Sequence, residues 1–390
     1  MPSIYLNNRP DKAAGFSLVE LMVAMVLGLL ILAGVIQVFV GSRMTFNSNE
    51  AVARVQENGR FAIEVLRRPL REAGMNGFCA GDMNIRSHLN SCGEDYINAI
   101  FDPNRVVTGW EAGGTGRTDD YTLPESLDPE DGEGSWSSQQ PDGSSLDLPD
   151  SLDGRAVEGS DVLFLRTMRP LDVIVDSNQN NTNITLESGE MPQRAMILIS
   201  NCSSGADWFQ QSGSAAANGR VSKPNMSCTN PGPGNAPPGG SPWSTAYNES
   251  AQVLQANVDA YYIGFNADRQ EPGLYRLRFG QGVRDEDLVP EELVSGVENL
   301  QVLYGFSLPA DEGGTGQTVN LWLSAEEVPD WNLVIAVRVA LLLFSPDNAD
   351  MDRDARTFEL VGTEITTQSD ARLRQVFSAT STIRNSQVTQ

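Results

Sequence analysis

Few residues in this chain of 390 could do catalytic chemistry, although acidic residues are abundant. The sequence has one histidine, His88, and 51 aspartate and glutamate residues. A Ser-His-Asp triad would have to use His88, and a zinc site built from several histidines is excluded. No spacing among the carboxylates singles out a pair suited to hydrolysis. The sequence therefore predicts a protein that is not an enzyme, with no catalytic residues, no cofactor and no small-molecule substrate.

One polar run has the spacing of a calcium-binding loop. Asp176, Asn178 and Asn180 alternate, and Glu187 stands at the twelfth position, as in an EF-hand. Asn181 takes the place of the usual glycine, and asparagine tolerates the left-handed conformation required there. The flanking residues have strand-like patterns, so a polar turn between two strands is the favoured interpretation and calcium binding is the alternative. No other metal site is predicted.

The four cysteines form two local pairs in the sequence, Cys79 with Cys92 and Cys202 with Cys228. An even number of widely spaced cysteines is typical of disulfides in an exported protein. Each local pair would close a loop and stabilise the fold by about 3 kcal/mol. Four cysteines permit three connectivities, so local pairing is a prediction. Metal binding is disfavoured because no C-x-x-C element is present.

An apolar segment near the amino terminus must position the rest of the chain. Residues 21–40 have Gln37 as their only strongly polar member, and a helix of about 20 residues is ~30 Å long, the thickness of the hydrocarbon layer. Residues 1–15 carry Arg9 and Lys12, which favours a cytoplasmic amino terminus with the bulk of the chain across the membrane. A secretory signal peptide is disfavoured because no small-residue cleavage site follows the segment.

Glu20 stands at the head of this apolar segment, where a plain anchor needs no carboxylate. Together with Gly15 and Phe16 it belongs to the string Gly-Phe-Ser-Leu-Val-Glu over residues 15–20. This string, between a short charged leader and an apolar span, resembles the prepilin signature of type IV pilins. The resemblance implies that a prepilin peptidase cuts between Gly15 and Phe16 and methylates the new amino terminus. Glu20 would then be the fifth residue of the mature chain.

The position of Glu20 suggests a physical role in assembly. A carboxylate within the hydrocarbon layer costs a few kcal/mol, so it requires a partner. In a filament, the amine released at Phe16 of a neighbouring subunit could supply the opposite charge. Leaving one member of a buried charge pair unpaired costs about 3–5 kcal/mol, so Glu20 would fix the register between subunits. The alternative is that Glu20 only lies at the level of the lipid headgroups.

After Gly41 the apolar residues recur at three- and four-residue spacings, which predicts an amphipathic helix with one face on a globular domain. Pro69 should kink or end this helix, and Gly74 is a natural stop signal. The pattern predicts a single amino-terminal helix over residues 16–75. A helix half in the membrane and half on a sheet is the pilin architecture. The expected fold class is therefore α+β, with this helix packed on an antiparallel β-sheet body over residues 76–390.

The body alternates strand patterns with acidic stretches rich in glycine and proline. Two such stretches, about 112–160 and 203–250, are predicted to be long mobile loops. Pro272 and Gly273 are expected in a loop between two paired strands.

The net charge of −24 predicts no direct binding of nucleic acid. Strands are predicted over 161–166, 195–199, 258–265, 274–279, 297–306, 333–344, 358–365 and 372–383.

Several blocks resemble more specifically the PilW family of minor pilins. They lie at residues 55–62 (VQENGRFA), 70–79, 159–163, 198–202, 273–276, 296–300 and 374–380. The resemblance implies a minor pilin incorporated at or near the tip of a type IV pilus, where it initiates or promotes assembly, with roles in adhesion, twitching motility or DNA uptake. Its partners would be prepilin peptidase and other minor and major pilins. It would reside in the inner membrane with a single pass, and then in the periplasm and the cell-surface pilus.

Two other functions stay open. A minor pseudopilin of a type II secretion system would share this architecture, and the PilW-like blocks argue against it. A membrane-anchored periplasmic enzyme or binding module would use residues 21–40 only as a tether and would retain residues 1–15.

Overall fold

The computed structural model describes residues 15, 17–74, 84–90, 99–132, 134–202, 204–212, 220–223, 233–236, 242–280, 288–348 and 353–383. The chain divides into two units, Met1–Ala51 and Val52–Gln390. One long helix, α1, crosses the boundary between them in sequence, and the second unit contains all of the strands.

Helix α1 runs Leu18–Glu72. Its first half is rich in leucine, methionine and alanine, which are strong helix formers. Pro69 lies inside the last turn, and the amide of Ala73 still donates to the carbonyl oxygen of Pro69 at 2.8 Å. Gly74 follows with φ +74°, the left-handed conformation that commonly terminates helices. The helix therefore ends one turn after the proline.

The strands of the body are short, except for a few that form the centres of the sheets. Their bounds are β1 (Ile85–Ser87), β2 (Val107–Ala112), β3 (Asp120–Thr122), β4 (Trp136–Gln139), β5 (Ser145–Asp147), β6 (Val162–Pro170), β7 (Ile174–Gln179), β8 (Asn183–Ser188), β9 (Met196–Ser200), β10 (Ala206–Gln210), β11 (Arg220–Ser222), β12 (Gln252–Asn266), β13 (Glu271–Phe279), β14 (Glu291–Ser295), β15 (Val297–Phe306), β16 (Leu321–Leu323), β17 (Val334–Asn348), β18 (Thr357–Leu360), β19 (Thr363–Thr366) and β20 (Arg372–Thr382). Three short 3₁₀ turns lie at Pro129–Asp131, Ala310–Glu312 and Trp331–Leu333.

These strands form four sheets among the described residues. The largest has ten strands in the order β1-β10-β9-β12-β6-β2-β4-β5, with β13 pairing β12 and β14 pairing β13. A four-stranded sheet has the order β16-β15-β17-β20, and two three-stranded sheets have the orders β11-β8-β7 and β18-β19-β3. All pairings are antiparallel except β1 with β10 and β19 with β3. A long helix followed by this body confirms the predicted α+β class.

The main core is formed by α1, the four-stranded sheet and strands β6, β12 and β13 of the large sheet. Every residue of β15 is buried, because one face of its sheet meets the helix and the other meets further strands. The helix contributes Val55, Ala62, Leu66 and Leu70, which pack in the same cluster as Val339 and the other inward-facing residues of β17. A second cluster on the large sheet holds aromatic residues, including Trp110, Phe164 and Trp208.

Residues 112–160 differ from the long loop that their composition predicted. They form β3, β4 and β5, and Trp136 and Leu146 are buried in the second core cluster. The indole nitrogen of Trp136 donates to the carbonyl oxygen of Ser160 at 2.8 Å. These short strands give little apolar pattern in the sequence, because β3 has no buried residue, β5 has one and β4 has two. The described residues of the other stretch, 203–250, also differ from a long loop, because they form β10 and β11 and bury Trp243 and Tyr247.

Two strand predictions were wrong in detail. Residues 358–365 form a hairpin of β18 and β19 and not a single strand, since Val361 and Gly362 turn the chain with φ of +50° and +110°. Pro272 and Gly273 lie within β13, paired with Phe265 and Gly264 of β12. The connecting turn is residues 267–270.

Candidate functional site

The residues that carry the processing prediction lie in the sequence just before α1 and in its first turn. Gly15 is exposed, and Phe16 lies outside the described residues. Ser17 precedes the helix, and its hydroxyl accepts a hydrogen bond from the amide of Glu20 at 3.2 Å. In return, Glu20 Oε2 accepts from the amide of Ser17 at 3.2 Å. This reciprocal pair is a capping box, which satisfies two amides that a helix start leaves unpaired.

The capping box gives Glu20 a local role that the sequence interpretation missed. The signal was present, because serine followed three residues later by glutamate just before an apolar run is the capping-box pattern. One carboxylate oxygen, Oε2, serves the cap, while Oε1 makes no hydrogen bond among the described residues. The side chain is exposed, so Glu20 can both cap its own helix and offer an acceptor to another molecule.

The segment that follows is apolar and exposed. Large side chains such as Leu29, Leu30 and Ile31 are between 65% and 68% exposed. α1 is long and apolar enough to cross a membrane, judged by length and composition. No described residue covers this apolar surface, which fits anchoring in a membrane because exposed apolar area is unfavourable in water.

The later part of α1 has the opposite character within the second unit. Val55, Ala62, Leu66 and Leu70 are all at most 1% exposed. Burying a side chain of this size contributes about 1.5–3 kcal/mol, so this stripe binds the helix firmly to the body. Asn58 adds a polar contact, since its Nδ2 donates to the carbonyl oxygen of Ser295 at 3.4 Å.

A glycine permits the closest approach between α1 and the body. A Cβ atom at Gly59 would lie 2.3 Å from ring carbons of Phe377 in β20. Any side chain at this position would therefore collide with the ring. The predicted block at residues 55–62 thus includes a residue whose small size the packing requires.

The single histidine lies in a buried polar cluster in the large sheet. His88 Nε2 is 2.5 Å from Asp207 Oδ1. Asp207 Oδ2 accepts from Tyr247 Oη at 2.6 Å and from Ser244 Oγ at 2.7 Å. Burial raises the pKa of Asp207, but the hydrogen bonds from His88, Tyr247 and Ser244 outweigh it and leave this pKa below its usual value.

This cluster contains serine, histidine and aspartate, but its connectivity does not suit nucleophilic catalysis. In a triad the histidine lies between the serine and the aspartate and accepts the proton from the hydroxyl. Here Asp207 lies at the centre, and Ser244 Oγ donates to it directly. His88 is 3% exposed. The cluster therefore ties β10 to residues 88 and 244–247.

A second buried polar group joins three strands. Asp161 Oδ1 accepts from the amide of Ala112 at 3.0 Å, and Oδ2 accepts from the amide of Val302 at 2.7 Å. Burial raises the pKa of Asp161 to about 7. Burial also raises the pKa of Glu111 well above its usual value, with a further contribution from the nearby Asp161. The sequence gave no sign of this role, because the strands that these carboxyls join are distant in the chain.

The residues considered for calcium lie in the β7–β8 hairpin. Asp176 is in β7 and Glu187 is in β8; Asn178 also lies in β7. Asn180 Oδ1 accepts from the amides of Thr182 and Asn183 at 3.0 and 2.9 Å, so it supports the turn itself. No group of three or more His, Cys, Asp or Glu side chains that could hold a metal occurs in the described part of the chain. Calcium binding stays a prediction.

Three of the four cysteines, Cys79, Cys92 and Cys228, lie outside the described residues. Cys202 follows β9 with φ +64° and is disulfide-bonded. Its partner is not among the described residues, so the proposed pairs remain predictions.

Two protein families match separate parts of this chain. Residues 260–385 match the family of the type IV pilus-assembly protein W, PilW, a range that includes β13 to β20. Residues 10–36 match the prokaryotic N-terminal methylation motif, a range that includes Gly15, Phe16 and Glu20. No curated protein and no solved structure matches the chain significantly. The methylation motif at the start of an apolar helix, together with the match of residues 260–385 to PilW, supports a type IV pilin-like PilW protein that is a pilus-related minor pilin.

Proposed function

We propose that the chain is cut between Gly15 and Phe16 by a prepilin peptidase and methylated at Phe16. It is then held in the inner membrane by residues 21–40, with its amino terminus cytoplasmic, and enters a type IV pilus at or near the tip, where it initiates or promotes assembly with other minor and major pilins. The observation that supports this most directly is the methylation motif at residues 10–36 on a helix whose apolar part is exposed. Adhesion, twitching motility and DNA uptake are the roles that such a pilus would serve.

Glu20 is proposed to contact a neighbouring subunit. Its Oε1 has no hydrogen bond among the described residues, although Oε2 caps the helix. The methylated amine of Phe16 in an adjoining subunit would supply a positive partner, and a carboxylate in a nonaqueous surrounding needs one. Capping and assembly thus use different oxygens of the same side chain.

Two substitutions separate these two roles. Glu20→Gln retains the capping geometry, because glutamine also serves at this position of a capping box, but it removes the charge. Glu20→Ala removes both. If the charge is needed, both variants should be missing from sheared pili, as measured by immunoblotting. If only the cap is needed, Glu20→Gln should be incorporated normally, which would contradict the proposed assembly contact. Glu57→Gln, at an exposed position of α1, is the matched control.

Mass spectrometry of the native amino terminus tests the processing step. We expect the chain to begin at N-methyl-Phe16. A chain that begins at Met1 would contradict the proposed function and would favour a tethered enzyme or binding module. Co-purification with pili, compared with co-purification with a secretion apparatus, distinguishes a pilus subunit from a type II pseudopilin.

A further inference from the structure

Strand β20 has an unusually long free edge. It ends the four-stranded sheet, and among the described residues it pairs only with β17. It has 11 residues, whereas the strands at the other sheet edges in the described parts of the chain have three to six: β1, β3, β5, β7, β11, β14, β16 and β18. Edge strands are commonly short, which limits their pairing with other chains, and β20 is too long to be protected in this way.

The direction of each backbone group along β20 follows from its register. The amide of Ile383 donates to the carbonyl oxygen of Ile335 at 2.8 Å, and Thr382 pairs with Ala336. In an antiparallel ladder, alternate residues direct both N–H and C=O toward the partner strand. The backbone N–H and C=O groups that point toward β17 are therefore those of residues 375, 377, 379 and 381. The backbone N–H and C=O groups of the residues between them point away from β17 and make no backbone hydrogen bond among the described residues. These residues are Arg374, Val376, Ser378, Thr380 and Thr382.

Proline, lysine and an irregular register, three devices that block an edge, are absent from Arg374 to Thr382. Residues 372–382 contain no proline and no lysine, and their register with β17 is unbroken from Thr382 to Arg374. The two arginines at the start of the strand already interact with other side chains of the same chain. Arg374 pairs with Glu298 and Asp370, with 2.5 Å between the atoms of each pair, and Arg372 lies 4.6 Å from the ring centre of Phe344.

Apolar side chains flank the edge on both faces of the sheet. Phe377 and Ala379 pack against the core that includes α1, and Val376 packs against the small cluster under β18 and β19. All three are only partly buried, although every residue of the inner strand β15 is buried. An additional strand beside β20 would cover them.

We propose that the outer edge of β20 is a strand-addition site for an extended segment of a different pilus subunit. A row of alternating N–H and C=O groups is matched by the backbone of another extended strand. A second copy of this chain is disfavoured because each copy carries a net charge of −24 and like charges repel. The partner segment is expected to carry β-branched or aromatic residues opposite Val376 and Phe377 and no excess of acidic residues. This inference rests on the proposed role in pilus assembly.

The test places the photo-crosslinking residue benzoylphenylalanine at the exposed Thr380 of the full chain in piliated cells. We expect a light-dependent adduct with a different chain that carries a prepilin-type amino terminus. Ser378→Pro removes an outward N–H and leaves the ladder with β17 intact, since edge strands tolerate proline at such positions. It should lower the adduct yield about fivefold or more, the effect expected for at least one hydrogen bond. Ser378→Ala, which retains the N–H, should leave the yield unchanged.

Several results would overturn the proposal. These are an adduct with a second copy, no adduct from a chain whose leader has been removed, or an equal yield from Ser378→Pro and Ser378→Ala. An intact leader in the same samples would instead refute the proposed function on which this inference rests.

A measurement without substitution covers the case in which Ser378→Pro does not fold. Amide exchange at Ser378 and Thr380 should slow about tenfold or more between the free chain and assembled pili, because the outward amides become bonded. The amides of Phe377 and Ala379, which face β17, should be slow in both samples. Unchanged exchange at Ser378 and Thr380 would contradict strand addition.

Discussion

The two halves of α1 use the same apolar residue types for opposite purposes. Before residue 41 the apolar side chains surround the helix and are exposed, as Leu30 is at 65%. From residue 52 onward they form a stripe, and Leu66 in that stripe is fully buried. The difference shows that the residue types favour a helix in both halves. The distribution of apolar residues around the helix determines whether its environment is apolar on all sides or on one side only. The first half requires lipid or neighbouring helices, and the second half requires its own body.

The largest expected effect is a difference in the free energy of unfolding between two leucine-to-alanine substitutions, one in each half of α1. Leu66→Ala should lower the free energy of unfolding of the body by about 2–5 kcal/mol, because it removes buried methyl groups and leaves a cavity. Leu30→Ala should leave this quantity unchanged, because Leu30 has no packing to lose within the chain. Urea denaturation of the full chain in detergent, followed by tryptophan fluorescence, measures both. Equal losses would show that the two halves do not differ in this way.

The close contact of α1 with β20 gives the next effect. Gly59→Ala should destabilise the body by about 1–3 kcal/mol, because the new methyl group collides with the ring of Phe377. The penalty should shrink in a Phe377→Ala background, where the ring is absent. The four proteins of this double-mutant cycle measure the coupling directly. If the Gly59→Ala penalty is the same in both backgrounds, the collision is not its cause.

The body should respond to pH through Asp161. Burial raises the pKa of Asp161 to about 7 in the folded chain, above the value of about 3.9 for an unfolded chain. The folded state then binds one more proton at this group between these values, so the contribution of Asp161 to stability is complete below about pH 4 and is lost as pH rises through about 7. The contribution of this group is at most about 1.4 kcal/mol per pH unit. Asp161→Asn should flatten this slope in denaturation curves collected across that range, and an unchanged slope would exclude Asp161 as its source.

The smallest effect concerns the first turn of α1. Ser17→Ala removes the hydroxyl that caps the amide of Glu20, and losing such a cap costs about 1 kcal/mol. Exchange of the Glu20 amide should quicken by roughly fivefold, as measured by mass spectrometry with residue-level fragmentation. The amide of Glu57 in the docked half should keep its rate, and so should the unfolding of the body. An unchanged rate at Glu20 would show that the capping box is not formed in detergent.

Much of this fold could be predicted from the sequence, because local patterns specify it. The extent of α1 and the central strands β15 and β17 follow from apolar periodicity over ten residues or more. The turn at Val361 and Gly362 was missed because the residues on both sides have strand patterns. A positive φ at a β-branched residue is rare and is imposed by the pairing of the hairpin. Pro272 was assigned to a loop because proline usually breaks strands, whereas here it lies where β13 begins.

In the candidate site, too, some residues could be predicted from a local pattern and others could not. Gly15, Phe16 and Glu20 could be proposed from the sequence because the string that resembles the prepilin signature is contiguous, and their roles stay predictions. The buried contacts of Asp161 and Asp207 could not, because they join segments far apart in the chain and depend on pairing that no local pattern encodes. The capping box was visible in the sequence, but the membrane argument had already supplied one explanation for Glu20.

The contact between Gly59 and Phe377 also sets an order of events for this chain. The ring that fills the space beside α1 comes from β20, far along the chain from Gly59, so the helix meets this part of its binding surface only after β20 has been made. Until then the apolar stripe has no matching partner and must be protected from other surfaces. Truncation near the carboxyl terminus should consequently leave an exposed helix face and a product that proteases remove rapidly.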